Sequence, residues 1–103
     1  IYETIGLCYD DIGKVRAIVD EVRHMLQEHS EIDGGKTLMV NFNGFGPSSL
    51  DFFIYAFTRT TNWEDYHGIK EQVLLKVFDI IDKHDAEIAF PTQTLHIEPE
   101  QES

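Results

Sequence analysis

Between Gly44 and Thr60 the chain reads GFGPSSLDFFIYAFTRT, a turn punctuated by Gly and Pro that runs straight into the longest apolar run of the sequence. From Ser49 to Arg59 there is no Gly or Pro, and aromatic, β-branched and aliphatic residues dominate, the composition of a buried central strand. At period two, one face holds Leu50, Phe52, Ile54 and Ala56, and the other holds Asp51, Phe53, Tyr55, Phe57 and Arg59. Both faces are apolar in the middle, so both need cover. A single helical layer covers only one of them, and what sits on the second is the functional question.

The flanking sequence supplies that layer. Ile1 to Tyr9 alternates as a strand, and Asp10 and Asp11 are placed to cap a helix whose apolar arc is Ile12, Val15, Ile18, Val19, Val22, Met25 and Leu26. It is expected to stop by His29 and Ser30, with Gly34 and Gly35 turning into an edge strand, Lys36 to Phe45. Gly44, Gly46, Pro47 and Ser48 then reverse the chain into the central strand as an antiparallel hairpin. Thr61 to Glu64 has the form of a capping box before a second helix with Tyr66, Ile69, Val73, Val77, Ile80 and Ile81 on its core stripe. Ala86 to Phe90 reads as a short strand, Pro91 interrupts it, and Thr92 to Ile97 continues extended. The order β-α-β-β-α-β predicts an α+β fold, a ferredoxin-like two-layer sandwich. Its four-stranded antiparallel sheet carries two helices on one face, with the first and third strands central. The domain spans residues 1–97, and the acidic segment 98–103 (EPEQES) is expected to be disordered.

Charge and composition exclude several function classes. Eight Lys and Arg stand against 19 Asp and Glu, a net of -11, so a polyanion such as DNA or RNA is not the partner. One apolar run, Phe52 to Phe57, is far short of the about 20 residues a membrane helix needs. Cys8 alone cannot form an intrachain disulfide, which suits a reducing compartment and a small buried side chain. The strand pattern begins at Ile1 itself, as expected of a piece of a longer protein.

No catalytic or cofactor chemistry can be assembled. His24 and His29 are five apart, and none of His67, His84 and His96 pairs with a His or Cys at helical spacing, so no metal is expected. Gly44, Gly46, Ser48 and Ser49 resemble a phosphate loop only in composition, since no Lys follows and a strand succeeds them. Asp10 with Asp11 could act as an acid and base pair, but capping is the better explanation. Cys8 lacks a cationic neighbour, and no Ser, His and Asp set is local. The chain is therefore not expected to be an enzyme. Phe53, Tyr55 and Phe57 are instead expected to meet another domain or subunit, joined by Leu75 and Phe78 on the outer side of the second helix.

The order IGLCYDD, a helix ending LQEHSEI, VNFNGFGPSSLDFFIYAFT, a capped helix and IAFPTQTL resembles the C-terminal cytoplasmic α/β domain of the small-conductance mechanosensitive channel (MscS-like) family. The resemblance covers residues 1–97 and is most specific at Ser48, Ser49 and Leu50 and at Phe90, Pro91, Thr92, Gln93 and Thr94. It implies a homoheptameric channel opened by membrane tension, with membrane helices and a β-domain upstream of Ile1. Copies of this domain would wall a vestibule at the cytoplasmic face of a membrane, the bacterial inner membrane in such channels, with portals for ions and small solutes in osmotic protection. No cofactor is implied. Other readings of the same pattern are a stand-alone ferredoxin-like ligand-binding or regulatory domain, or a small hydrolase lacking its site. The acidic end, EPEQES, departs from the short barrel strand of well-known members.

Overall fold

Leu50–Tyr55, β3, is hydrogen-bonded on both sides, to Tyr2–Leu7 (β1) and to Met39–Phe45 (β2), giving an antiparallel sheet of order β1-β3-β2. The computed structural model describes residues 1–89 of the 103. Helices α1 (Val15–Glu28) and α2 (Trp63–Lys83) lie on one side of the sheet. Their buried stripes, Ile18, Val22 and Leu26 on α1 and Ile69, Val73 and Val77 on α2, close one core over Leu50, Phe52 and Ile54. The architecture is thus α+β; among the described residues the sheet has three strands where four are expected, with β3 alone central. Beside β1 the C-terminal stretch pairs through a single bridge, Leu7 with Ile88, flanked by Cys8 N–H to Glu87 O at 3.0 Å and Ala89 N–H to Gly6 O at 2.9 Å. Thr92 to Ile97, the motif residues Phe90 to Thr94 and the acidic tail fall outside the described residues.

The first helix starts differently from its expected form. Tyr9–Lys14 is a 3-10 turn preceding α1, with no side-chain cap from either Asp. Asp11 is buried and turned to the C-terminal stretch instead: its Oδ2 accepts from the Glu87 amide at 2.9 Å. Lys14 Nζ completes the clasp, donating to Asp85 O at 2.8 Å and lying 3.4 Å from Asp11 Oδ1. Because the 3-10 turn has a different pitch from an α-helix, Ile12 leaves the core stripe and is 58% exposed. Cys8, at the start of this turn, is half-buried.

The second helix cap is shifted by one residue. Asn62, not Thr61, is the N-cap, and its Oδ1 accepts from the Asp65 amide at 3.0 Å, while Thr60 Oγ1 accepts from the Asn62 amide. Asn62 and Thr60 thus supply the two side-chain acceptors that Thr61 and Glu64 were expected to supply. Asp85 takes a left-handed step (φ 58°) just past the C-terminal end of α2, a conformation Asp tolerates better than most residues.

Two further features complete the frame. The segment between α1 and β2 pairs with the end of β3, Asp33 N–H to Phe57 O at 2.8 Å and Arg59 N–H to Glu31 O at 2.9 Å, and this plugs Ile32 into the core. On β2 a bulge between Phe42 and Gly44 (φ 153°) shifts the alternation, so that Phe45 pairs with Leu50 and joins the side of Val40 and Phe42; Val40 is buried there, while Phe42 is 41% exposed. The hairpin then closes through Gly46 N–H to Ser49 O at 2.7 Å.

Across the helices, Glu21 accepts from Lys83 Nζ and lies 2.9 Å from His84 Nε2. The Lys83 hydrogen bond first, and His84 second, hold the Glu21 carboxyl below its usual range. A depressed carboxylate stabilises the fold above the ordinary glutamate value of about 4.3, and the contribution is lost as pH falls through the folded-state value. Glu21→Gln should therefore lower Tm at pH 7, and the gap to the parent should close on acidification below about pH 4.3. Asp11→Ala strips the Glu87 amide of its partner and should cost about 1–3 kcal/mol in urea unfolding.

Candidate interaction surface

The sheet face away from the helices is built by register. Tyr2, Tyr55 and Met39 share one row across β1, β3 and β2; Thr4, Phe53 and Asn41 share the next; Gly6, Asp51 and Gly44 share the third. Side chains alternate along a strand, so each of these points away from Leu50, Phe52 and Ile54. Phe57 follows on the same face just past the end of β3.

The rings contact one another. Tyr2 lies 6.1 Å from Phe53 and 6.2 Å from Tyr55, and Tyr55 meets Phe57 edge to face at 5.4 Å. Lys36 Nζ sits over the Phe57 ring at 5.6 Å. Tyr2 is 63% exposed, Met39 40% and Phe57 39%, while Phe53 and Tyr55 are half-buried among them. These rings form one continuous aromatic patch on one sheet face rather than a scatter of exposed apolar residues.

The opposite end of the face is polar and closed. Ser49 Oγ donates to Asp51 Oδ1 at 2.6 Å, and a Cβ on Gly6 would stand 3.0 Å from Ser49 Cβ and 3.1 Å from Asp51 Oδ1. Gly6 is therefore required by the close approach of β1 to the hairpin. Of the motif residues Ser48, Ser49 and Leu50, Ser49 ties the turn, Leu50 is fully buried and Ser48 faces solvent.

Reactive chemistry is not gathered at this surface. Burial first, and then Glu87, Asp11 and Asp10, push the Cys8 thiol up, which withholds the nucleophilic thiolate. Among the described residues no cluster of three His, Cys, Asp or Glu could hold a metal. No helix among them is long and apolar enough to cross a membrane.

Phe53, Tyr55 and Phe57 are thus brought together, and the sequence pattern finds them. Leu75 and Phe78 are not brought to them: they are exposed on the outer side of α2, across the helical layer from this face. Tyr2 and Met39 belong to the face and were missed. Tyr2 falls with Thr4 and Gly6 on the less apolar side of the first strand, and Met39 reads as the polar side of an edge strand, so only register joins them to Tyr55.

Comparison with known proteins gives this geometry a context. The family model described as "Mechanosensitive ion channel MscS, C-terminal" matches residues 4–88. The low conductance mechanosensitive channel YnaI of Escherichia coli is 47% identical over 105 residues, covering 98% of this chain and 31% of YnaI. An uncharacterized MscS family protein of Aquifex aeolicus is 33% identical over 95 residues, covering 91% of this chain and 26% of that protein. The large-conductance mechanosensitive channel MscMJLR of Methanocaldococcus jannaschii is 29% identical over 98 residues, covering 91% of this chain and 27% of that protein. The chain therefore spans about a third or less of the length of these relatives. Among solved structures, the cryo-EM structure of Arabidopsis thaliana MSL1 superposes with a TM-score of 0.77 at 22% identity, covering 88% of this chain and 33% of that one. At that identity the likeness speaks for the fold alone.

The two faces of β3 should respond oppositely to substitution in the isolated chain. Phe52→Ala should cost about 3–5 kcal/mol in urea unfolding, and Phe57→Glu, on the open face, less than about 1 kcal/mol.

Proposed function

This chain belongs to the MscS family of mechanosensitive ion channels, matching the part described as C-terminal, and on that footing we propose that it is the cytoplasmic vestibule domain of a channel opened by membrane tension. The observation that carries the reading is the 47% identity to YnaI across 98% of this chain. In this reading membrane helices and a β-domain precede Ile1, seven copies assemble around a vestibule, and ions and small solutes pass through portals between them during osmotic downshock. The domain performs no catalysis; its work is packing and shaping those openings.

The open aromatic face supports the assembly part of the reading. Tyr2, Phe53, Tyr55 and Phe57 then meet the upstream β-domain or a neighbouring copy, which removes their surface from water at about 25 cal/mol per Å² of apolar area. The ferredoxin-like sandwich belongs to the same reading: the Leu7 to Ile88 bridge is where a further strand would add beside β1. Charge bears on conduction. A net of -11 per copy, repeated around a ring, concentrates cations and repels anions near the vestibule wall.

Patch-clamp recording from giant vesicles holding the full-length protein tests this. Suction should open currents whose reversal potential in asymmetric KCl lies on the cation side, and Phe53→Glu should reduce the number of active channels per patch. Membrane-inserted protein that stays silent under suction would overturn the channel reading; clear anion preference would overturn only the charge argument.

A further inference from the structure

Two surfaces apart from the open sheet face are left uncovered among the described residues, and they complement each other. The first is a groove of about 540 Å³ between the free edge of β2 and α1 with its 3-10 turn, lined in part by Ile12, Arg16, Arg23, Phe42 and Phe45. Ile12 and Phe45 are 58% and 67% exposed, the Phe42 and Phe45 rings meet edge to face at 5.4 Å, and Tyr9 stacks on Phe45 at 6.5 Å. Arg23 is occupied by Asp20 and the Val40 carbonyl. Asp20 also lines the groove but is paired with Arg23, whereas Arg16 is exposed and forms no ion pair among the described residues, which leaves the aromatic part of the groove beside one free positive charge in an acidic chain.

The second surface is the outer stripe of α2. Glu71, Leu75, Phe78 and Asp82 are spaced four, three and four apart, so they share one helix face, opposite the buried Val73 and Val77. Leu75 is 59% and Phe78 52% exposed. Lys70 and Lys83 are drawn away from that stripe by Glu3 and Glu21. An apolar centre flanked by acids is the counterpart of the Ile12, Phe42 and Phe45 part of the groove with Arg16 beside it.

We propose that the outer stripe of α2 in one copy seats in the groove between α1 and β2 of the next copy, Leu75 and Phe78 against Ile12, Phe42 and Phe45, with Arg16 facing Glu71 or Asp82. Self-pairing is disfavoured for both surfaces, since a two-fold contact would set Arg16 against Arg16 or acid against acid. The two surfaces lie on opposite flanks: Arg23 holds α1 over β2 through Val40, and the pair Lys70–Glu3 holds α2 over β1. A contact between different surfaces of identical chains repeats in one direction, which is the geometry that closes rings. The inference rests on the proposal that copies of this chain assemble, and it names the surfaces through which they do so.

Disulfide trapping in the full-length protein tests it, in a background whose only cysteines are introduced ones, with Cys8→Ser. A chain carrying both Phe42→Cys and Leu75→Cys should yield, on oxidation, a ladder of cross-linked species up to the full oligomer. Each single variant alone should yield none, and a mixture of the two should stop at dimers. Separately, Arg16→Glu should cut the assembled fraction about tenfold, and adding Glu71→Arg with Asp82→Arg should restore it. Dimers from either single variant, or an intact oligomer that never cross-links, would overturn this pairing while leaving the channel reading standing. Parent protein that is monomeric in membranes would instead overturn the assembly on which it rests.

Discussion

The structure depends on one strand being buried on two counts. β3 is hydrogen-bonded on both edges, so its backbone polar groups are satisfied within the sheet, and its Leu50, Phe52 and Ile54 side chains are fully buried beneath the helices. Each such side chain contributes about 1.5–3 kcal/mol by leaving water. The same pleat drives Phe53 and Tyr55 to the far side, which no layer among the described residues covers. Because this sequence places aromatics at the alternate positions, the strand that buries Phe52 and Ile54 on one side carries Phe53 and Tyr55 on the other.

The remaining interactions fix how the layers sit on that strand. Glu21 with Lys83 and His84 joins the helices, and the clasp of Asp11 and Lys14 brings residues 85–89 against β1. These contacts are polar and partly exposed, so they orient more than they stabilise. They matter because they set the flanks: with α1 over β2 and α2 over β1, the groove beside Arg16 and the acidic stripe of α2 cannot fall on one surface.

Much of the fold was legible because its signals are local and redundant. Period two in β3 and period 3.6 in both helices each involve several residues, so a single exception does not erase them. The departures arose where one residue decides. Asp11 looks like a cap because it stands before an apolar period, yet an amide 76 positions away claims its oxygen. The 3-10 turn displaced Ile12 from the expected core stripe, and the bulge before Gly44 moved Phe45 to the side of Phe42, so that all three line one groove. At the aromatic face, Phe53, Tyr55 and Phe57 could be found from parity alone, whereas Tyr2 and Met39 could not, because membership across strands is a matter of register.

By itself the sequence determined which residues leave water: alternation and helical period select the buried faces, and the excess of acids weighs against a polyanionic partner, because both follow from composition and spacing along one chain. Only the tertiary structure decided which surfaces lie together and which lie apart. It joined Tyr2 and Met39 to the aromatic row, sent Leu75 and Phe78 to another flank, and turned Asp11 from a cap into a clasp. Those outcomes depend on strand register, on helix pitch at a single turn and on contacts between residues distant in sequence, none of which a local pattern encodes.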